Sequence, residues 1–126
     1  MTKSSIAQEL GDFRWNNRIL LICENDQIPA QSEKQIGLFE DFTQEMKERK
    51  LLILLSRGGH LLDVRHHLMA ENAVLPVRKG FTGVVLIGLD GSVKWKSGFY
   101  AEPAEVFRVV DSMPMRRAEI KDKYKP

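Results

Sequence analysis

Cys23 is the only sulfhydryl in a chain of 126 residues. A lone cysteine excludes an intrachain disulfide, a Cys-x-x-Cys dithiol and a cysteine zinc site. It closes the apolar run Arg18-Ile-Leu-Leu-Ile-Cys23 and is followed by Glu24 and Asp26. A reactive thiolate needs exposure and a nearby cation or helix N-terminus, whereas neighbouring carboxylates raise a thiol's pKa. Cys23 therefore reads as a buried structural residue. The chemistry it would otherwise support is that of a single-cysteine thiol peroxidase or oxidoreductase, regenerated by an external thiol.

The other chemistry-bearing residues are three histidines and a glycine pair. His66 and His67 are adjacent, about 100° apart on a helix, and with His60 they read as the polar side of a surface helix. No metal is expected. Gly58-Gly59 lacks a Gly-Lys-Ser or Gly-x-Gly-x-x-Gly context, so a phosphate-cradling loop is not expected. No Ser, His and Asp arrangement carries a nucleophile signature, and no cofactor is expected.

Nineteen Lys and Arg against 17 Asp and Glu give a formal charge of +2, too small for a nucleic-acid or membrane footprint. No apolar run reaches the roughly 18 residues of a membrane span, and the N-terminal residues lack the apolar core of a signal peptide. The chain as written reads as soluble and cytoplasmic, or as periplasmic or secreted if a leader was trimmed. The sequence names no partner, a protein being the candidate, and leaves the oligomeric state unspecified. The basic end, with Arg116, Arg117, Lys121, Lys123 and Lys125 against Glu119 and Asp122, reads as a solvated, partly helical tail. Its alternative is a contact for an acidic partner through Arg116 and Arg117. Met113-Pro114-Met115 is expected to seat that tail on its own domain.

These residues need elements to position them. Gly83 to Lys96 reads as a buried strand, an Asp90-Gly91 turn and an alternating return strand. Arg18–Cys23 and Leu51–Leu55 are further continuous apolar strands. Between them Ser32 and Gln35 suggest a capping box for a helix running to about Lys50, with Phe39, Phe42 and Met46 on its apolar face. Leu61, Val64 and Leu68 propose a helix from His60 to about Glu71, and Asn72 to Thr82 a connection. Pro103, Val106, Phe107 and Val110 propose a last helix, interrupted before Pro114. An N-terminal arm over residues 1–12 then precedes one domain over 13–126, in the order β-α-β-α-β-β-α. A four-stranded mixed sheet with helices on both faces is the thioredoxin-like arrangement.

FRWNNRILLI near the start, Gln31, Glu48-Arg49, LIGLDGSVKWKS and, above all, DSMPMRRAE resemble a peroxiredoxin-like, thioredoxin-like domain of unknown function. That family occurs in small bacterial proteins and as a module of secreted vertebrate sushi-repeat and coiled-coil-containing proteins. The resemblance spans Leu10 to Glu119. It implies a thioredoxin-like fold and no particular chemistry. Leu89 stands where relatives usually carry Lys, and Thr82-Gly83 replaces the proline that shapes the substrate groove of thioredoxins. Both lines lead to a non-catalytic binding or interaction module. Its expected site lies where the first loop meets the turn before the central strand, near Glu24, Asp26, Gln31, Arg57 and Thr82.

Overall fold

Residues 10–123 are described by the computed structural model of the chain; residues 1–9 and 124–126, and with them most of the expected arm and the end of the tail, lie outside the described residues. Arg18–Cys23 forms β1, and all six of its residues are buried. A run with no polar alternation is stable only where both faces are covered, and β1 is placed accordingly. It pairs in parallel with β2 (Leu51–Arg57) and antiparallel with β5 (Gly83–Ile87). Outside β5 lies β6 (Val93–Ser97), also antiparallel.

On the other side the sheet departs from expectation. His60 to Glu71 is not a helix but a hairpin of β3 (His60–Leu62) and β4 (Leu68–Ala70), which extends the sheet to six strands in the order β4-β3-β2-β1-β5-β6. The helical spacing of Leu61, Val64 and Leu68 is coincidental: Val64 is 43% exposed and Leu68 41%. Gly58 and Gly59, at φ of 56° and 84°, turn the chain straight back onto β2. His66, at φ of 67°, takes a backbone shape that no helix interior allows. Asp63 stabilises that turn by accepting the backbone N–H groups of Arg65 and His67.

The helix expected up to Lys50 is broken into α1 (Ala30–Gly37), a 3-10 turn at Glu40–Phe42 and α2 (Thr43–Glu48). Ser32 and Gln35 do not cap it, because the helix begins before them; both are fully buried. Gln35 instead donates to the Ala101 carbonyl and accepts the Ala101 N–H, each at 2.8 Å. This ties α1 to the segment entering α3 (Pro103–Asp111). Beyond Ser112 and Met113 the chain does not fray: Pro114 opens α4 (Pro114–Lys123), since the first helical position has no use for an N–H.

The helices expected on both faces of the sheet gather on one. Leu20, Ile22, Ile53, Val84 and Leu86 meet Phe39 and the α3 residues Val106, Phe107 and Val110, with Phe39 edge-on to Phe107 at 6.0 Å. Burial of each such side chain contributes about 1.5–3 kcal/mol. Among the described residues, no α-helix covers the opposite face, formed by Ile19, Leu21, Cys23, Leu54, Val85 and Ile87. Leu10 and Phe13 of a 3-10 turn and Ala73, Leu75, Val77 and Phe81 of the 72–82 segment lie over it. The β5–β6 connection spans 88–92, where Asp90 accepts from the backbone N–H and hydroxyl of Ser92 and pairs with Lys94.

Gly83 opens β5 at φ of 135°, and a Cβ there would fall on the Ser97 carbonyl oxygen of β6. Gly59, also at positive φ, faces open space. Gly83→Ala is therefore expected to lose about 3 kcal/mol or more through clash and strain together, and Gly59→Ala only about 1–2 kcal/mol. Urea denaturation of the two variants measures the difference.

Candidate ligand-binding cleft

Because β1 and β2 are parallel neighbours, the loops leaving them emerge at the same edge of the sheet, the usual place for a site in an α/β protein. A cleft of about 820 Å³ opens there on the helix-free face. Cys23 and Ser56 line its base from the strand ends, and the loop after β1 contributes Glu24 to Gln27. The far wall is the 72–82 segment, with Leu75, Val77 and Phe81 as its apolar part and Arg78, Lys79 and Thr82 as its polar part.

Of the residues expected at this site, Glu24, Asp26 and Thr82 line the cleft. Asp26 and Thr82 are exposed. Arg57 stands beside it, grasping both carboxylate oxygens of Glu24 at 2.8 and 3.0 Å. The Glu24 side chain is 3% exposed and the Arg57 side chain 39%. The Arg57 hydrogen bond holds the Glu24 carboxyl below its ordinary 4.5 in spite of burial. The neighbouring Ser32 hydroxyl acts in the same direction, but from outside ordinary hydrogen-bond geometry. Gln31 sits half-buried on α1 and does not line the cleft. Cys23 is 3% exposed, and burial pushes its thiol up to about 11.

Arg116 and Arg117 belong to the other end of the molecule, near Arg18, roughly 16 Å along β1 from Cys23. Of the two, Arg116 departs from the expected solvated, partly helical tail. Arg116 is buried, and its guanidinium donates to Asp111 and to the Glu48 carbonyl, both at 3.0 Å. Arg49 takes both oxygens of Asp111 at 3.0 and 2.9 Å and lies over the Phe107 ring. Arg18, fully buried, donates to both oxygens of Glu119 at 3.2 and 3.0 Å and to the Arg49 carbonyl at 2.8 Å. The closing motif is thus a clasp that fastens α3 and α4 to the lower edge of the sheet. Only Arg117 of the expected pair is exposed.

Sequence reasoning passed over Arg78, Lys79 and Phe81, which lay in what read as a connection. A signal was present: Ala73, Leu75 and Val77 are half-buried while Val74, Pro76 and Arg78 are exposed, the alternation of an extended segment lying on a surface. Val74, 87% exposed, obscured it by placing an apolar residue on the outer side. Among the described residues Arg78 and Lys79 form no ion pair.

Among the described residues no cluster of three His, Cys, Asp or Glu side chains could hold a metal ion, and no helix is long and apolar enough to cross a membrane. His66 pairs with Glu33 and His67 with Asp63, at 2.7 and 3.2 Å, so the two histidines serve the hairpin and its contact with α1. Fold and cleft together define an α/β protein with a mixed six-stranded sheet and an opening of about 820 Å³ at the ends of its parallel strands. The chain belongs to the family described as domain of unknown function (DUF4174), whose model matches residues 9–119. No curated protein and no solved structure matches it.

The two ends of β1 respond to different perturbations. Glu24 is held below 4.5. At Asp111, burial pushes the carboxyl up but Arg49 and Arg116 outweigh it and hold it below 3.8. A carboxyl depressed on folding stabilises fully above its unfolded value, and that stabilisation is lost as pH falls through the folded value. The advantage of the wild type over Glu24→Gln in urea midpoint should accordingly be full at neutral pH and shrink below about pH 4.5. Glu119→Gln leaves the Arg18 charge buried and unpaired, and should cost about 3 kcal/mol at neutral pH, read from the same denaturation curves.

Proposed function

We propose that this chain is a non-catalytic binding or interaction module on a thioredoxin-like scaffold, with its ligand or partner site in the cleft beside Glu24, Asp26 and Thr82. The thioredoxin-like reading is supported by the inner strands. In β2-β1-β5-β6 a parallel pair joined through α1 and α2 is continued by an antiparallel hairpin and closed by α3. The β3–β4 hairpin stands where that arrangement carries its second helix.

The observation that carries the non-catalytic reading is the state of Cys23. A thiol near 11 is ionised in only about one molecule in ten thousand at neutral pH. The Arg57 guanidinium beside the cleft is already engaged by Glu24, and no cation offsets the burial that raises the thiol. A second reading, a single-cysteine thiol peroxidase, draws on the fact that Cys23 lines the base of the cleft, where peroxide could in principle enter.

Thiol titration separates the two. Cys23 in the native protein should label with a disulfide reagent roughly a hundredfold or more slowly than in urea, and Cys23→Ser should still fold, with stability lowered by about 1–3 kcal/mol because it buries a hydroxyl. Fast native labelling near neutral pH, with peroxide consumption that disappears in Cys23→Ser, would replace the binding-module reading by the enzymatic one.

A further inference from the structure

Resting on the binding-module reading, we infer that the cleft takes a small amphipathic anion, a carboxylate or similar acidic group carried on an apolar body. The charge inventory points to the sign. Glu24 faces the cleft but is neutralised by Arg57 through two hydrogen bonds. Asp26 is the remaining carboxylate of the lining, against the unpaired Arg78 and Lys79. Lys96 adds a third cation close by, with its ammonium 5.9 Å from the centre of the Phe81 ring that lines the wall. The clasp at the opposite end pairs the charges of Arg18, Arg49 and Arg116 with Asp111 and Glu119, whereas Arg78 and Lys79 in the cleft have no such carboxylate among the described residues. An arginine beside a lysine offers the donors that an acidic group requires.

The shape of the lining points to the rest of the ligand. Leu75, Val77 and Phe81 border the same opening and are only half-buried, so an apolar body can remove them from water while its acidic end meets Arg78 and Lys79. Gly58, Gly59 and Gly80 also border the opening, and a Cβ on any of them would meet no heavy atom. The entrance is therefore free of side-chain obstruction on those sides. Inorganic phosphate satisfies the cations alone and leaves the apolar wall wet, which makes it the weaker ligand.

Fluorescence titration of the full chain with anilinonaphthalene sulfonate, competed by octanoate, tests this. Saturable binding is expected, displaced by octanoate and at least roughly tenfold less well by octanol. Arg78→Glu/Lys79→Glu should weaken it roughly tenfold or more, while Arg108→Glu/Lys121→Glu, an equal charge change on α3 and α4, leaves it unaltered. Urea midpoints of both variants close to that of the wild type show that the fold is retained. Equal competition by octanol and octanoate, with binding still lost in Val77→Asp, would overturn the anionic class while leaving a ligand-binding cleft. Equal loss in the two charge variants would overturn the assignment of the anion to this cleft. No saturable binding of any of the three compounds would overturn the inference without touching the thiol result on which the non-catalytic reading stands.

Discussion

Everything in this molecule follows from the complete enclosure of β1. A strand hydrogen-bonded along both edges and covered on both faces offers the rest of the chain only its two ends, and the two ends have been put to opposite uses. At the first, Arg18 enters the interior carrying a charge, which is tolerable only if a carboxylate and a carbonyl follow it in. Glu119 and the backbone of Arg49 meet that need, and α4 is held where it is in consequence. At the second end, Cys23 and Glu24 both border the cleft with their side chains buried, and Asp26 is the first exposed residue of the loop. The chain opens to solvent only past the point where the sheet stops.

The three long strands were legible because each announces itself through several consecutive apolar residues, a local signal that needs no knowledge of partners. The β3–β4 hairpin was not, since its outcome turns on two glycines at positive φ and on an aspartate gathering two N–H groups, while Leu61, Val64 and Leu68 satisfy a helical spacing by accident. The same holds for Ser32 and Gln35: their spacing is that of a cap, but Gln35 finds better partners in Ala101, sixty-six residues away. The clasp was equally hidden. Arg18 and Glu119 are 101 positions apart, and nothing in a basic C-terminal stretch reveals that one of its arginines is buried. Of the expected site, the loop after β1 and the turn before β5 could be located from topology alone. Arg78 and Lys79 could not, because their role depends on the path of a segment with no repeating structure.

That segment also explains why a cleft exists. A helix laid across the second face of the sheet would fill the space above Cys23 and Ser56 with side chains. The 72–82 segment covers the same face as an extended strap, fastened by bonds such as Ala73 N–H to the Gly59 carbonyl at 2.8 Å. Its apolar residues reach the sheet only at Ala73, Leu75, Val77 and Phe81. An extended chain is thinner than a helix and leaves room at the strand ends. Replacement of the second helix by the β3–β4 hairpin moves the covering task to a loop, and the cleft is the volume the loop does not occupy.

The charges then divide along the same line. At the clasp, formal charges close on one another: Arg49 and Arg116 on Asp111, Arg18 on Glu119. At the cleft, Glu24 and Arg57 cancel and the charged side chains left over are Asp26, Arg78 and Lys79. Paired charges at one end hold the helices to the sheet without inviting a ligand, because neither partner can leave without stranding the other in a poorly solvated place. Arg78 and Lys79 at the other end are exposed and stay hydrated at little cost. With its thiol buried beneath the opening, the sheet carries closed charge pairs at one end and an open volume of mixed polar and apolar lining at the other.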